Sequence, residues 1–395
     1  MIGSSRPRVL VIADFYLPGY KSGGGMRTIV NMVDRMRDRY HFRIITRDHD
    51  GNRDSTPYTA VNINEWNDVD GIPVHYLSDN RITMRNVRRL FRQVEPDVVY
   101  SNSVFTPAAV KLLQLRILGL IERVPMIIAP CGELAENALK IKSSKKKAFL
   151  AASKALQLHR DVLWKASGER ESEDIRTAVG PKANVLIAPD LPPRAYGSGC
   201  PAPSKPAKAR GSARFVFFSR FVRIKNFSWL LELLSAGIKG QIVIDVVGPI
   251  EDVDYWAECE ILIKQLPPNV RVTNIGPVPH NEAVQILAEH DFLILPSLSE
   301  NFGHVFLEAL AAGCPLVISD RTPWRDLEAK GVGWDLPLND PKRWRAVIDV
   351  CVEMDQDTYT AMSTTARSLA DTFLNDPALD SAMDELFKTA IDRVS

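Results

Sequence analysis

Residues 295–320 read LPSLSENFGHVFLEALAAGCPLVISD. The string divides into an apolar run that stops at Pro296, a polar loop, an amphipathic stretch opening near Gly303, and a second apolar run at 316–319. Strand, loop, helix, strand is the repeating unit of a parallel sheet with helical crossovers. Glu300 falls in the strand-to-helix loop, and Glu308 about a turn and a half into the helix. Backbone amides at such a helix start can bind an anion or a polar sugar edge. A carboxylate on either side suits a ligand rich in hydroxyls, because ionised carboxylates accept strong hydrogen bonds. Taken singly, Glu300 also reads as a helix cap and Glu308 as a solvated helix residue; the whole string favours a site.

The same alternation extends in both directions. Strands are expected at 215–219, 242–247, 271–275 and 292–295, with helices at 227–234, 255–265, 281–289, 304–312 and 324–329. Upstream lies YGSGCPAPSKPAKARGS, residues 196–212, dense in Pro, Gly, Ser and Ala and without hydrophobic periodicity, which reads as a linker. Before it, strands are expected at 8–13, 42–46, 74–77, 97–101, 126–129, 163–166 and 185–188, and helices at 26–39, 83–93, 107–118, 143–159 and 169–178. The 395 residues therefore read as an α/β chain of two Rossmann-like, doubly wound domains with a cleft between them as the natural active site. The expected bounds are 1–195, a linker at 196–212, 213–375, and a C-terminal helix at 376–395 that packs back on the first domain.

Two further strings carry chemistry. In FVFFSRFVRIKNF, residues 215–227, a strand delivers Arg220 to its C-terminal end and Lys225 follows before the next helix. Two cations there can clamp a diphosphate and offset the charge that grows on it as it leaves; Arg223 beside them reads as a surface cation. In GYKSGGGMRTIV, residues 19–30, glycines open the first helix and let the backbone approach a phosphate. The GxGxxG spacing of a dinucleotide site is not present.

Together these residues resemble glycosyltransferase family 4, the retaining enzymes of the GT-B fold, and in particular bacterial exopolysaccharide and O-antigen members. Ser219-Arg220 with Lys225-Asn226 is similar to the family's phosphate clamp, Val247-Gly248 to its mid-domain turn, Ile275-Gly276-Pro277-Val278 to its base-binding loop, and Glu300 to Glu308 to its Glu-x₇-Glu motif. LPGYKSGGGMR is similar to the glycine loop, and APCGELAENAL, residues 129–139, to the acceptor-side segment. The resemblance implies that Arg220 and Lys225 bind the donor diphosphate and that Glu308 accepts the ribose hydroxyls. It also implies that Glu300 holds a hydroxyl of the transferred sugar, that Phe302 and Gly303 offer amides to it, that Pro277 and Val278 border the base, and that Gly24 and Gly25 cover the diphosphate. Where some members place a histidine, this chain has Cys131-Gly132-Glu133, so Glu133 is the acceptor-side candidate. No cofactor and no metal is expected; the nucleoside-diphosphate-sugar is the donor substrate.

Composition limits the alternatives. Residues 1–195 hold 30 Lys and Arg against 21 Asp and Glu, and residues 196–395 hold 19 against 27, so the first half is basic and the second acidic. The longest apolar runs fall short of the roughly 20 residues that cross a bilayer, and the N-terminus has no secretory core, so a cytoplasmic protein is expected. Five scattered cysteines without CxxC spacing read as free thiols. The seven histidines read as structural or surface, and the pairs Asp48/Asp50, Asp68/Asp70, Asp252/Asp254 and Asp355/Asp357 as incidental rather than metal-binding. Lys140, Lys142, Lys145, Lys146 and Lys147, set among Leu139, Ile141, Phe149 and Leu150, and the arginines 81, 85, 88, 89 and 92 have the composition of segments that lie on an anionic membrane. Solvated helix faces explain them equally simply. The expected partners are a nucleotide sugar, a saccharide or polyprenyl-diphosphate-linked acceptor and peripherally such a membrane, with no nucleic acid. A nucleotide-sugar epimerase, an NAD-dependent oxidoreductase and a non-catalytic sugar-nucleotide-binding subunit stand as alternatives.

Overall fold

The computed structural model describes residues 6–51, 54–140, 143–194 and 205–393. Ile141, Lys142 and linker residues 195–204 lie outside the described residues, as do the side chains of Lys140 and Ser143. The chain divides into two compact units, Met1–Arg194 with Asp376–Ser395, and Ala195–Asn375.

The first unit is an eight-stranded sheet in the order β3-β4-β2-β1-β5-β6-β7-β8. Its strands are β1 Arg8–Ile12, β2 His41–Arg47, β3 Trp66–Val69, β4 Ile72–Leu77, β5 Val98–Ser101, β6 Met126–Ile128, β7 Val162–Ala166 and β8 Asn184–Ile187. All neighbours are parallel except β3, which runs against β4. Strands such as β5 and β7 are buried along their whole length, which is why they read as mainly apolar runs, Lys165 of β7 being buried against Asp190. Helices α1 Gly24–Met36, α2 Met84–Val94, α3 Pro107–Ile117, α4 Glu136–Lys140, α5 Ser143–Ala155 and α6 Glu169–Val179 connect them. The last helix of the chain, α13 Pro377–Asp392, completes this unit. It sets Phe387 against Tyr40 at 4.8 Å and Asp380 against Arg35 at 2.6 Å.

The second unit has six parallel strands in the order β11-β10-β9-β12-β13-β14: β9 Ser212–Phe218, β10 Gln241–Val247, β11 Val270–Gly276, β12 Phe292–Leu295, β13 Leu316–Ser319 and β14 Gly333–Leu336. Its helices are α7 Phe227–Ser235, α8 Val253–Ile263, α9 His280–Glu289, α10 His304–Ala311, α11 Pro341–Glu353 and α12 Gln356–Leu374. The chain winds outward from β9 in one direction and from β12 in the other. The strand order therefore reverses between β9 and β12, where doubly wound sheets bind ligands.

Three expectations are corrected. No helix forms at 324–329: Asp326 takes a left-handed φ of 59°, and the Leu327 amide donates to the Asp335 carboxylate at 2.9 Å, so side chains capture the donors a helix would use. Helix α5 ends at Ala155 rather than at 159, because Gln157 turns left-handed at φ 51° and His159 packs on Trp164 at 5.1 Å. Residues 205–211 are not free linker: Lys208 is buried and its ammonium donates to the carbonyls of Ala209, Val352 and Met354.

Candidate functional site

At the C-terminal end of β9 the chain passes close to the end of β10. The Ser219 amide donates to the Val247 carbonyl at 2.9 Å, and a Cβ on Gly248 would lie 2.0 Å from the Ser219 carbonyl, so only glycine fits there. Arg220 follows, half-buried, and its Nη1 donates to both carboxylate oxygens of Glu251 at 3.0 and 2.9 Å. Phe221 is wholly buried, and its carbonyl accepts from the amides of Glu251 and Asp252 at 3.2 and 3.0 Å, which fastens the β10–α8 loop to the β9 loop. Arg223 faces outward onto Glu258 and over the Tyr255 ring, a surface cation as read from the sequence. Lys225 turns back and donates to Glu300.

Glu300 belongs to the loop between β12 and α10, and this loop is held on all sides. The Leu298 amide donates to the Ile224 carbonyl at 2.8 Å, the Glu300 amide to the Arg321 carbonyl at 3.1 Å, and the Trp324 indole to the Phe302 carbonyl at 2.7 Å. Glu300 is not a helix cap; Gly303 occupies that position at φ 77°, ψ 65°, with no side-chain cap. Among the described residues, no acceptor takes the amide N–H of Phe302 or of Gly303, so the helix start keeps donors available. One turn on, Glu308 is buried, with His280 Nδ1 at 3.8 Å from its Oε1. Pro277 is exposed and Val278 half-buried between β11 and α9. Arg220, Lys225, Pro277, Val278, Glu300, Phe302, Gly303 and Glu308 thus share the C-terminal edge of one sheet, around its switch point.

Gly24 and Gly25 lie at the start of α1 in the first unit. The backbone that only glycine adopts is that of Gly23, at φ 69°, ψ −147°, while Gly24 and Gly25 are already helical. A Cβ on Gly25 would meet only the Asn102 amide nitrogen, at 3.9 Å. Asp50 fixes the approach to this turn by accepting from the Tyr20 and Lys21 amides and the Ser22 hydroxyl at 2.6–2.8 Å. The neighbouring acceptor-side segment is internally braced. Asn102 donates to the Gly25 carbonyl at 2.8 Å and accepts from the Cys131 thiol at 3.1 Å. Both Glu133 oxygens accept from the Ser103 hydroxyl at 2.9 Å, and one also from the Val104 amide at 2.8 Å. Burial pushes the Glu133 carboxyl up to about 7 in spite of these donors.

Glu251, Asn102 and Ser103 went unread in the sequence, since none carries a motif and each is placed by folding, and His280 was read only as structural or surface. The aspartate pairs have structural duties: Asp252 caps α8 and Asp355 caps α12 through the amides of Tyr255 and Thr358.

Both sheets with their helices define the GT-B architecture of two Rossmann-like domains. Across the whole chain this fold matches sucrose-phosphate synthase from Thermosynechococcus elongatus with a TM-score of 0.73 at 15% identity, covering 98% of this chain and 100% of that one. HepE of Anabaena in complex with UDP and glucose matches at 0.69 and 16% identity, covering 97% and 99%. WaaG, a glycosyltransferase involved in lipopolysaccharide biosynthesis, matches at 0.65 and 12% identity, covering 98% and 99%. A search of the curated proteins finds no match in sequence. Residues 202–369 match the sequence model of the family Glycosyl transferases group 1.

Proposed function

We propose that the protein is a retaining glycosyltransferase of family 4 that moves a hexose-type sugar from a nucleoside diphosphate to an acceptor hydroxyl in polysaccharide or glycolipid assembly. The observation that carries this reading is the Lys225–Glu300 contact beside an open helix start at the switch point, with Arg220 at the neighbouring end of β9. Arg220 and Lys225 hold the diphosphate, Glu300 and the Phe302 and Gly303 amides hold the sugar, Glu308 accepts from the ribose, and Pro277 and Val278 border the base. The bond from the anomeric carbon to the diphosphate oxygen breaks, the acceptor oxygen bonds to that carbon on the same face, and the departing diphosphate takes the acceptor proton. Alignment and charge stabilisation are then the protein's contribution. Cationic side chains stand where another enzyme would use a metal.

A lipid-linked acceptor accords with the surface of the first unit. Lys145 and Lys147 on α5 and Arg85, Arg89 and Arg92 on α2 are exposed, and Leu118 and Leu120 are exposed near them, with Arg88 donating to the Leu120 carbonyl at 2.8 Å. Lys146 is occupied instead, donating to the Ala138 carbonyl and lying over the Phe105 ring. No helix among the described residues is long and apolar enough to cross a membrane.

The test is incubation with labelled UDP-, GDP- and ADP-sugars, with and without lipid extract, in the presence and absence of EDTA. Acceptor-dependent transfer that survives chelation is expected. An altered sugar released without acceptor identifies an epimerase, and activity lost to EDTA and restored by manganese a metal-dependent site. Sedimentation with anionic vesicles that weakens with salt, and none with neutral ones, checks the membrane contact.

A further inference from the structure

Each cation of the clamp stands against a carboxylate, and the two carboxylates differ in what holds them. Glu300 has a place in the proposed donor contacts and can exchange Lys225 for a sugar hydroxyl. Glu251 has no such place. Its backbone is fastened through its own amide and that of Asp252 to the Phe221 carbonyl, and Phe221 pairs with Ile250 as an isolated parallel bridge. That anchored backbone sets the carboxylate beside Arg220, with both oxygens on Nη1. It uses only Nη1; among the described residues nothing accepts from Nε or Nη2, so the far edge of the guanidinium is left for a phosphate.

From this arrangement we infer that Glu251 is a specificity-determining residue that discriminates against the nucleoside diphosphate product and so promotes its release. The inference rests on the transferase reading. A nucleotide sugar carries two negative charges on its diphosphate, whereas the free nucleoside diphosphate carries about one more once its terminal phosphate has lost a second proton, near pH 6. The added charge sits on the phosphate that has just been left by the sugar, next to the clamp. A carboxylate fixed behind Arg220 repels both species, and the product more. One extra charge about 7 Å from a carboxylate, at an effective dielectric of about 40, changes affinity roughly five- to tenfold.

Glu251→Gln tests this, because the amide oxygen still accepts from Nη1 and keeps the guanidinium oriented. Dissociation constants are measured by calorimetry at pH 8 and low salt for UDP, GDP and ADP and for the matching nucleotide glucoses or mannoses. In the variant, the diphosphate that the unaltered chain binds should tighten roughly five- to tenfold more than its nucleotide sugar, with stronger product inhibition. The difference should shrink at pH 5.5, where the terminal phosphate is singly charged, and in high salt. Glu258→Gln, which removes the partner of the outward Arg223, should leave both constants unchanged. An unaltered ratio of the two constants, or weaker diphosphate binding by the Gln variant, overturns the inference while leaving the transferase reading in place. Failure of the unaltered chain to bind any of these probes overturns the transferase reading itself.

Discussion

Replacing Gly303 by alanine should loosen the β12–α10 loop more than the removal of any single hydrogen bond in it. The residue sits at φ 77°, where a side chain costs about 1–2 kcal/mol. Its new Cβ would lie 2.4 and 2.5 Å from two ring carbons of Phe306 and 3.2 Å from Glu300 Cγ. Phe306 is wholly buried and cannot swing away, so relief requires shifts of the kind that cost about 1–3 kcal/mol in a packed core. The sum is about 2–5 kcal/mol, which moves a urea midpoint by about 1 M or more. Five of the seven tryptophans, Trp229, Trp256, Trp324, Trp334 and Trp344, belong to the second unit, so fluorescence during urea unfolding of the full chain reports on it. Gly331→Ala is the matched control: φ is 67°, but the Cβ would meet only Thr365 Cγ2 at 3.9 Å, so it should lose about 1–2 kcal/mol from backbone strain alone. Phe306→Leu in the Gly303→Ala background should recover part of the difference. If Gly303→Ala unfolds at the same urea concentration as Gly331→Ala, the ring contact is not what demands glycine, and the reasoning fails.

The other predictions concern the site. Arg220→Ala or Lys225→Ala should raise the activation barrier by about 2–4 kcal/mol, the range for loss of one preorganised donor; unchanged kcat/KM in both would remove them from the clamp. Glu308→Ala should mainly weaken donor binding and Glu300→Ala mainly lower kcat; equal loss of nucleoside diphosphate affinity in both would show that the division of roles is wrong. Glu133 supplies a pH dependence. Its carboxyl is pushed up to about 7 in the folded chain. The unfolded chain ionises it near 4.3, so stability present below that value is lost as pH rises through about 7, in all about 4 kcal/mol. Glu133→Gln removes this loss, so its thermal midpoint should exceed that of the unaltered chain at pH 8 and approach it near pH 5. Parallel melting curves across that range would contradict the assignment.

The GT-B architecture was legible because it is repetitive. The runs at 215–219, 242–247 and 292–295 are mostly apolar, broken only by Ser219 and Asp245, as buried parallel strands are, and each precedes an amphipathic stretch. Edge elements were harder: β3, with WNDV half-exposed, and β14, with GWDL, carry too little apolar signal to stand out. The false helix at 324–329 has helical composition, and only the tertiary bond from Leu327 to Asp335 overrides it. For the candidate site, Arg220, Lys225, Glu300 and Glu308 were findable because spacing alone carries them to strand ends and helix starts. Glu251 and His280 were not. Each gains meaning only from a neighbour, Arg220 or Glu308, that lies 31 or 28 positions away in the chain, and no local pattern encodes that.

The return of α13 to the first unit makes residues 195–375 an insertion within it, and this has a bearing on synthesis. The insertion is one continuous stretch and can close as soon as it has left the ribosome. The unit begun first is finished last, because Tyr40, Phe42 and Tyr100 wait for the ring of Phe387, 4.8 to 6.2 Å away in the completed fold. Loss of the final twenty residues to a premature stop codon would therefore injure not the half of the chain that has just been made but the half translated before it.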